Sequence, residues 1–402
     1  MAKPVDRKTE VLVLNQIAQV GLKRMPAERY SIVTEAKSPE VVLVRSQELH
    51  GMAFGANLKA VGRAGAGVNN IPVAELSKLG VPVFNAPGAN ANAVKELVVA
   101  GMLIAARNLV PALEFVKGLD PAAADLHKQV EKGKAKFAGV ELPGHTLGVI
   151  GLGKIGSLVA DAGIRMGMQV LGCDPEITVD AAWSLPSQVR RAGSVEEVLK
   201  TSHFVTLHVP LGAKTRNLIG PKNLELMRQG AILLNFSRDG VVDDEAVVKA
   251  LRSHRLKCYV TDFPSGALVG EPGVVALPHL GASTREAEDN CAVMVVDQVR
   301  AYVEDGTIRN AVNFPDVEIA RESPFRLAIA NSNVPNMLAR ISQSLGDRGI
   351  NIHNMLNKSR GDMAYTLVDA DSVVPADALD ELRGIEGVLS VRYLPASDDG
   401  AA

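Results

Sequence analysis

The run Gly151-Leu-Gly153-Lys154-Ile155-Gly156 constrains the fold more than any other stretch. It follows a short apolar segment (147–150) and opens a segment with helical spacing (154–167). A glycine-rich turn with a strand before it and a helix after it marks a βαβ unit that holds a dinucleotide. The first glycine permits the tight turn, the second lets the backbone approach a pyrophosphate, and the third allows close helix–strand packing. Exposed N–H groups and the positive end of the helix then face the phosphates. Asp174 stands eighteen residues past Gly156, at the end of the next apolar run. Its carboxylate can accept bonds from the adenosine ribose hydroxyls and repels a 2′-phosphate. Pro175 and Glu176 bring no cation, so NAD is expected over NADP.

The alternation continues beyond this unit. Apolar runs at 147–150, 169–173, 204–208, 231–235, 258–261 and 274–277 are separated by segments with helical spacing, clearest at 154–167, 195–200, 221–229 and 243–252. This predicts a doubly wound α/β sheet of six parallel strands, a complete dinucleotide-binding domain. The first hundred residues also mix strands (11–14, 41–44, 81–84) with helices and predict a second α/β unit. Long helices are expected at 93–107 and 285–304, and residues 308–317 have an extended, linker-like composition. From 325 to 395 the order strand, helix, strand, strand, helix, strand predicts a ferredoxin-like βαββαβ module, with a turn at 331–336 after its first strand.

Composition narrows the class. The chain has 402 residues, enough for two or three domains, and balances 43 Lys and Arg against 45 Asp and Glu for a net charge of −2. That balance gives no electrostatic reason to expect nucleic acid or a membrane surface as partner. Cys173, Cys258 and Cys291 are scattered, with no metal-ligand spacing, which predicts a reducing compartment and no metal. The charged start of the chain lacks the apolar core of a signal peptide, and the longest apolar run, 97–106, is too short to span a bilayer. A cytoplasmic protein is expected.

Candidate chemistry lies at the C-terminal ends of the later strands, where a doubly wound sheet places its crevice. His208, Val209 and Pro210 follow the third run and are expected beside the cofactor. Asn235-Phe236-Ser237-Arg238 follows the fourth, Asp262 the fifth, and Pro278-His279 with Gly281 the sixth. An arginine, a carboxylate and a histidine around one crevice suit oxidation of a 2-hydroxy acid. The planar fork of arginine clamps a carboxylate with two parallel bonds, and histidine takes the hydroxyl proton.

These segments resemble the D-isomer-specific 2-hydroxyacid dehydrogenases, through Val44-Arg45-Ser46, Gly62-Arg63-Ala-Gly65-Ala66-Gly67, the glycine-rich loop, 235–243 and 278–284. The resemblance is nearest to the branch that oxidises 3-phospho-D-glycerate and ends in an ACT regulatory module. It implies a flavodoxin-like substrate domain (1–96 and 290–318), an NAD-binding Rossmann domain (97–289) and an ACT domain (322–402). It implies Arg238 and His279 as catalytic residues and Asp262 near the nicotinamide amide. Phe236, Ser237 and Gly281 complete the cofactor pocket, and Arg45, Ser46, Arg63, Gly65, Ala66 and Gly67 form the substrate site. The product would be 3-phosphohydroxypyruvate, at the start of L-serine synthesis, in a homo-oligomer (dimer or tetramer). L-serine is the implied effector, held by Asn331, Asn333 and Asn351.

One departure stands out. The family carries a glutamate five residues beyond the position of Asp262, where it orients and charges the histidine; here that residue is Ala267. Glu271 is the candidate replacement, and the alternative is an ordinary loop residue. Two other functions stay open: the same chemistry on hydroxypyruvate, glyoxylate or lactate, and a catalytically weak homologue that senses NAD or an amino acid.

Overall fold

The computed structural model describes residues 8–396. Two compact units emerge: one holds the residues up to Asn90 and those from Arg285 onward, the other holds Ala91–Thr284.

In the Ala91–Thr284 unit, seven strands pair in the order β12-β11-β10-β9-β6-β7-β8. They are β6 (Thr146–Ile150), β7 (Gln169–Cys173), β8 (Arg190–Arg191), β9 (Phe204–Leu207), β10 (Ala231–Asn235), β11 (Leu256–Thr261) and β12 (Val274–Ala276). All pairs are parallel. Every residue of β6, β9 and β10 is buried, as helices on both faces of a parallel sheet require. The sequence predicts six strands here; the seventh, β8, is two exposed arginines and carries no apolar signal. The order in which successive strands are added reverses between β6 and β9, so their C-terminal ends open the crevice where such sheets bind ligands. The Ala91–Ala106 helix packs on this sheet through Gly101, where an added Cβ would lie 3.0 Å from Val260 and 3.2 Å from Phe236.

The other unit holds two sheets. The first is parallel, in the order β2-β1-β3-β4-β5, the flavodoxin arrangement. Its strands are β1 (Thr9–Leu14), β2 (Tyr30–Val33), β3 (Val41–Val44), β4 (Ala60–Arg63) and β5 (Val83–Phe84). Strand β4 escaped the sequence reading because Gly62 interrupts its apolar run. That glycine is packed tightly enough for a Cβ to meet Leu43 at 2.8 Å and Val295 at 2.9 Å. Residues 308–317, expected to be extended and linker-like, instead bend at 310 and 312–314 and fold back on themselves, and they do not form a solvated linker. Ile308 bridges Val317 and Ala311 bridges Phe84, and Ile308, Ala311, Phe314 and Val317 are all buried.

The second sheet is antiparallel, in the order β14-β15-β13-β16, with β13 (Phe325–Ser332), β14 (Ile352–Arg360), β15 (Met363–Ala370) and β16 (Val388–Pro395). With the helices Met337–Gly346 and Ala376–Gly384 it makes the expected βαββαβ module. Leu327, Ile329, Val368 and Ala370 pack beneath these helices. Alternation sends Ala328, Ala330, Tyr365 and Leu367 to the opposite face, where they join Val295, Val299 and Tyr302 of the Arg285–Asp305 helix in one core.

Candidate active site

The turn after β6 is shaped by contacts that tolerate no side chain. Gly151 has φ +90°, and a Cβ there would lie 2.5 Å from the His208 carbonyl oxygen. A Cβ on Gly156 would strike the Gly151 carbonyl oxygen, while around Gly153 the space is open for 4 Å. Gly153 caps the Lys154–Arg165 helix, so the exposed Lys154 and the half-buried Ile155 form its first turn. Asp174 ties the turn to β7: its Oδ2 accepts from Leu152 N at 2.9 Å and its Oδ1 from Glu176 N at 3.0 Å.

Across the switch point, Nε2 of His208 lies 2.9 Å from Thr206 Oγ1, while Nδ1 is shielded from solvent and has no partner. Burial pushes the imidazole pKa down to about 3, so the ring is neutral. Val209 packs against the turn, where a Gly151 Cβ would meet it at 3.0 Å, and Pro210 is exposed beyond it.

After β10, Asn235 builds the next loop. Its Oδ1 accepts from Ser237 N (3.1 Å) and Ser237 Oγ (2.8 Å), and its Nδ2 donates to Arg238 O (3.0 Å). Phe236 and Ser237 are buried, and the exposed Arg238 donates through Nη1 to Ser237 O at 2.6 Å. Asn235, which the sequence places in this segment without a role of its own, positions the loop that carries Ser237 and Arg238. Its signal is an amide ending an otherwise apolar strand.

Asp262 organises the histidine. Its backbone oxygen accepts from His279 N at 3.0 Å, and its Oδ2 accepts from Gly281 N at 3.1 Å. The intervening turn puts His279 at φ +52°, with its ring 4.9 Å from that of Phe263. Asp262 is almost fully buried and its Oδ1 has no partner. Burial pushes its carboxyl up, while the charges of His279 and Arg238 and the Gly281 N–H oppose that rise. Arg238, Asp262 and His279 thus influence one another, whereas Glu271 is placed elsewhere. Both its oxygens are held by Arg252, at 2.9 Å from Nε and 2.7 Å from Nη2. The loop after Asp262 runs back along β11, so that Tyr259 N donates to Gly273 O at 2.9 Å. Glu271 therefore sits toward the N-terminal end of β11, which corrects the expectation that it replaces the glutamate missing at Ala267.

In the other unit, the loops after β3 and β4 come together. Asn15 Oδ1 accepts from Ser46 N (3.2 Å) and Gln47 N (2.6 Å), and Arg63 Nε donates to Arg45 O (3.0 Å). Arg45 Nη2 is paired with Glu288 at 2.7 Å. The Arg63 guanidinium lies over Gly65, where a Cβ would meet Nη1 at 2.3 Å, and Asn85 Nδ2 anchors Ala66 O. Gly67 lies more loosely: a Cβ added there would lie 3.9 Å from the same Nη1. In the antiparallel module, Asn331 is buried with an unpartnered Oδ1. Asn333 Nδ2 donates to Gly361 O at 3.0 Å, and Asn351 N donates to Asp371 Oδ1 at 3.2 Å.

Residues 109–281 match the family described as D-isomer specific 2-hydroxyacid dehydrogenase, NAD binding domain. The D-3-phosphoglycerate dehydrogenase of Escherichia coli K12 is 32% identical over 350 residues, covering 84% of this chain and 82% of that one. That of Methanocaldococcus jannaschii is 34% identical over 303 residues, 73% of this chain; the match spans only 54% of that longer protein. Among solved structures, the TT0316 protein of Thermus thermophilus aligns with a TM-score of 0.62 at 27% identity, covering 75% of this chain and 99% of that one.

Proposed function

Because the chain belongs to the D-isomer-specific 2-hydroxyacid dehydrogenases, whose NAD-binding domain it carries, we propose that it oxidises 3-phospho-D-glycerate to 3-phosphohydroxypyruvate. The observation that carries this reading is the grouping of Arg238, Asp262 and His279 on the crevice side of the sheet that bears the glycine-rich turn. NAD supplies the hydride acceptor. The open backbone at Gly153 and the carboxylate of Asp174 fit its pyrophosphate and adenosine ribose, and the unpartnered Asp262 Oδ1 fits its carboxamide N–H.

Arg238 would grip the substrate carboxylate with paired N–H donors and fix the face presented for reaction. His279 would take the proton of the 2-hydroxyl as the C–H bond breaks. The positive charge that then develops on the imidazole would be stabilised by the carboxylate of Asp262, whose backbone and side chain hold the 279–281 turn from both sides. Arg45 and Arg63, gathered at the strand ends of the flavodoxin-like sheet, suit a phosphate, because several donors meet several oxygens. The same reading places the enzyme in the cytoplasm as a homo-oligomer, at the start of L-serine synthesis. It also makes the C-terminal module an ACT domain inhibited by L-serine, which the unpartnered Oδ1 of Asn331 supports.

Initial rates of NADH formation with 3-phospho-D-glycerate, D-glycerate and D-lactate test the reading. The phosphorylated acid is expected to lead in kcat/KM by more than about tenfold, the value of one strong charge-assisted contact. Equal rates on D-glycerate overturn the phosphate assignment, and no turnover of any of the three overturns the dehydrogenase.

A further inference from the structure

Gln298 lies on the Arg285–Asp305 helix, in the unit that holds the flavodoxin-like sheet, and is only 6% exposed. Neither its Nε2 nor its Oε1 has a hydrogen-bond partner, although both atoms are shielded from solvent. Buried side-chain amides are nearly always paired, so a carboxamide with both halves unsatisfied calls for a cause. Gln298 also lines a cleft of about 540 Å³, together with Gly88, Asn290, Met294, Asp297, Arg309 and Asn310.

The chemistry of the walls selects a ligand. The cleft presents both signs of charge, and each is already neutralised: Asp297 is held by Arg24 at 2.6 Å and Arg309 by Glu318 at 2.7 Å. A net anion or cation therefore finds no unspent counter-charge. What the walls do offer is carboxamides. Besides Gln298 there is Asn290, whose Nδ2 reaches Ala89 O only at 3.5 Å. There is also Asn310, held in a left-handed turn (φ +56°) by a 2.8 Å bond from its own N–H to Asp316, with its side chain exposed. An amide edge presents a donor beside an acceptor in one plane. An ammonium group cannot return the acceptor and a carboxylate cannot return the donor. Another amide edge returns both. Val293 and Met294 supply apolar wall for the rest of such a molecule.

We propose that this cleft is a binding site for a small, net-neutral molecule bearing a primary carboxamide, read by Gln298 and flanked by Asn290 and Asn310. It is separate from the residues assigned to NAD, to the substrate and to the C-terminal module, and it does not depend on the proposed reaction. L-Glutamine is the probe, and L-glutamate, of the same shape with a carboxylate in place of the amide, is the control.

Titration calorimetry on the full-length, NAD-loaded protein is expected to give saturable binding of L-glutamine, with L-glutamate at least about tenfold weaker, a difference of about 1.4 kcal/mol. Gln298→Met keeps the shape of the side chain and removes both polar atoms. It is expected to weaken L-glutamine binding about tenfold or more while leaving NADH formation unchanged. Asn310→Gly preserves the left-handed turn, removes a flanking amide and is expected to weaken binding several-fold, which keeps the proposal testable if the Met variant does not fold. Equal binding of glutamate and glutamine overturns it, as does unchanged binding after Gln298→Met. Absence of heat with L-glutamine, L-asparagine and acetamide up to about 10 mM also overturns it, and reduces Gln298 to a buried amide satisfied by water.

Discussion

In the seven-stranded sheet the buried polar side chains of Asn235, Thr261 and Asp262 stand at the C-terminal ends of strands, whereas in the four-stranded sheet those of Arg326, Thr366 and Asp369 lie within the sheet itself. The two sets are equally hidden and differ in what they are bonded to. Arg326 stands directly across from Asp369 and reaches both its oxygens, at 2.7 and 2.9 Å, then Asp305 at 2.9 Å and Ala320 O at 3.0 Å. Asp262 Oδ1 and, beside the glycine-rich turn, His208 Nδ1 have no partner at all. Burial alone therefore says nothing about role. A saturated network fastens the C-terminal module to the end of the Arg285–Asp305 helix, and Tyr365 Oη to Gly306 O (2.7 Å) and Arg392 to Val303 O (2.7 Å) add to it. An unsaturated one, as at Asp262 and His208, leaves atoms that a ligand can complete.

The widest separation between the two regions is expected from one substitution in each. His279→Asn removes the proposed base from an exposed turn, so kcat/KM should fall by about 10²–10⁴-fold while the unfolding midpoint hardly moves. Wild-type turnover in that variant would remove the histidine from the chemistry. Arg326→Met should do the reverse. It leaves Asp369 and Asp305 without their cation, and a broken buried pair costs about 3–5 kcal/mol. Burial pushes the Asp369 carboxyl up, but hydrogen bonds and charge from Arg326 hold it below its ordinary value, so without the arginine it should take up a proton. Adding Asp369→Leu should restore most of the lost stability. Urea unfolding of the single and double variants measures both effects, and a single variant as stable as wild type would show that the network is not a fastening.

Much of this contrast was legible in the chain. The glycine-rich turn, the strand-end positions of Arg238 and His279, and the βαββαβ order of the tail all depend on local pattern, which sequence carries directly. What escaped depends on distant neighbours. Gly62 hid β4 because its role is to let Leu43 and Val295 approach. Residues 308–317 read as a linker because their burial comes from pairing with Phe84 and from one another. Nothing local to Arg326 signals its burial, because its partner Asp369 lies 43 residues later in the chain. The geometry of Glu271 was set by the course of a loop rather than by its spacing from Asp262.

A smaller effect should separate the regions by pH. His208 has a folded pKa of about 3 against an ordinary value of 6.5. Above pH 6.5 the ring is neutral whether folded or unfolded and contributes nothing to the pH dependence. As pH falls from 6.5 toward 3 only the unfolded chain takes the proton, so stability is lost across that window, by about 2 kcal/mol at pH 5. The residue is half-buried, so this figure is a ceiling. His208→Gln should flatten the loss between pH 7 and pH 5, read from urea midpoints at the two values. An unchanged slope would mean that the imidazole is already hydrated.

The smallest effect is expected at Glu271, where the sequence allowed either a catalytic partner or an ordinary loop residue and the fold places an ion pair. Its two oxygens are engaged by Arg252, whose side chain is 69% exposed, and Arg252 holds the Glu271 carboxyl below its usual range. The peptide lies toward the end of β11 opposite Asp262, because Tyr259 of that strand pairs with Val274 just beyond it. A pair in that place, open to solvent on its arginine side, neither orients nor charges His279. Glu271→Gln should therefore leave kcat/KM within about twofold of wild type, a change too small to register as lost transition-state binding. The pH–rate profile should superimpose on that of the parent. Asp262→Asn is the paired control: it keeps the Gly281 N–H contact within reach but removes the charge beside the histidine, so it should displace the profile. A displaced profile for Glu271→Gln, with an unmoved one for Asp262→Asn, would return Glu271 to the active site.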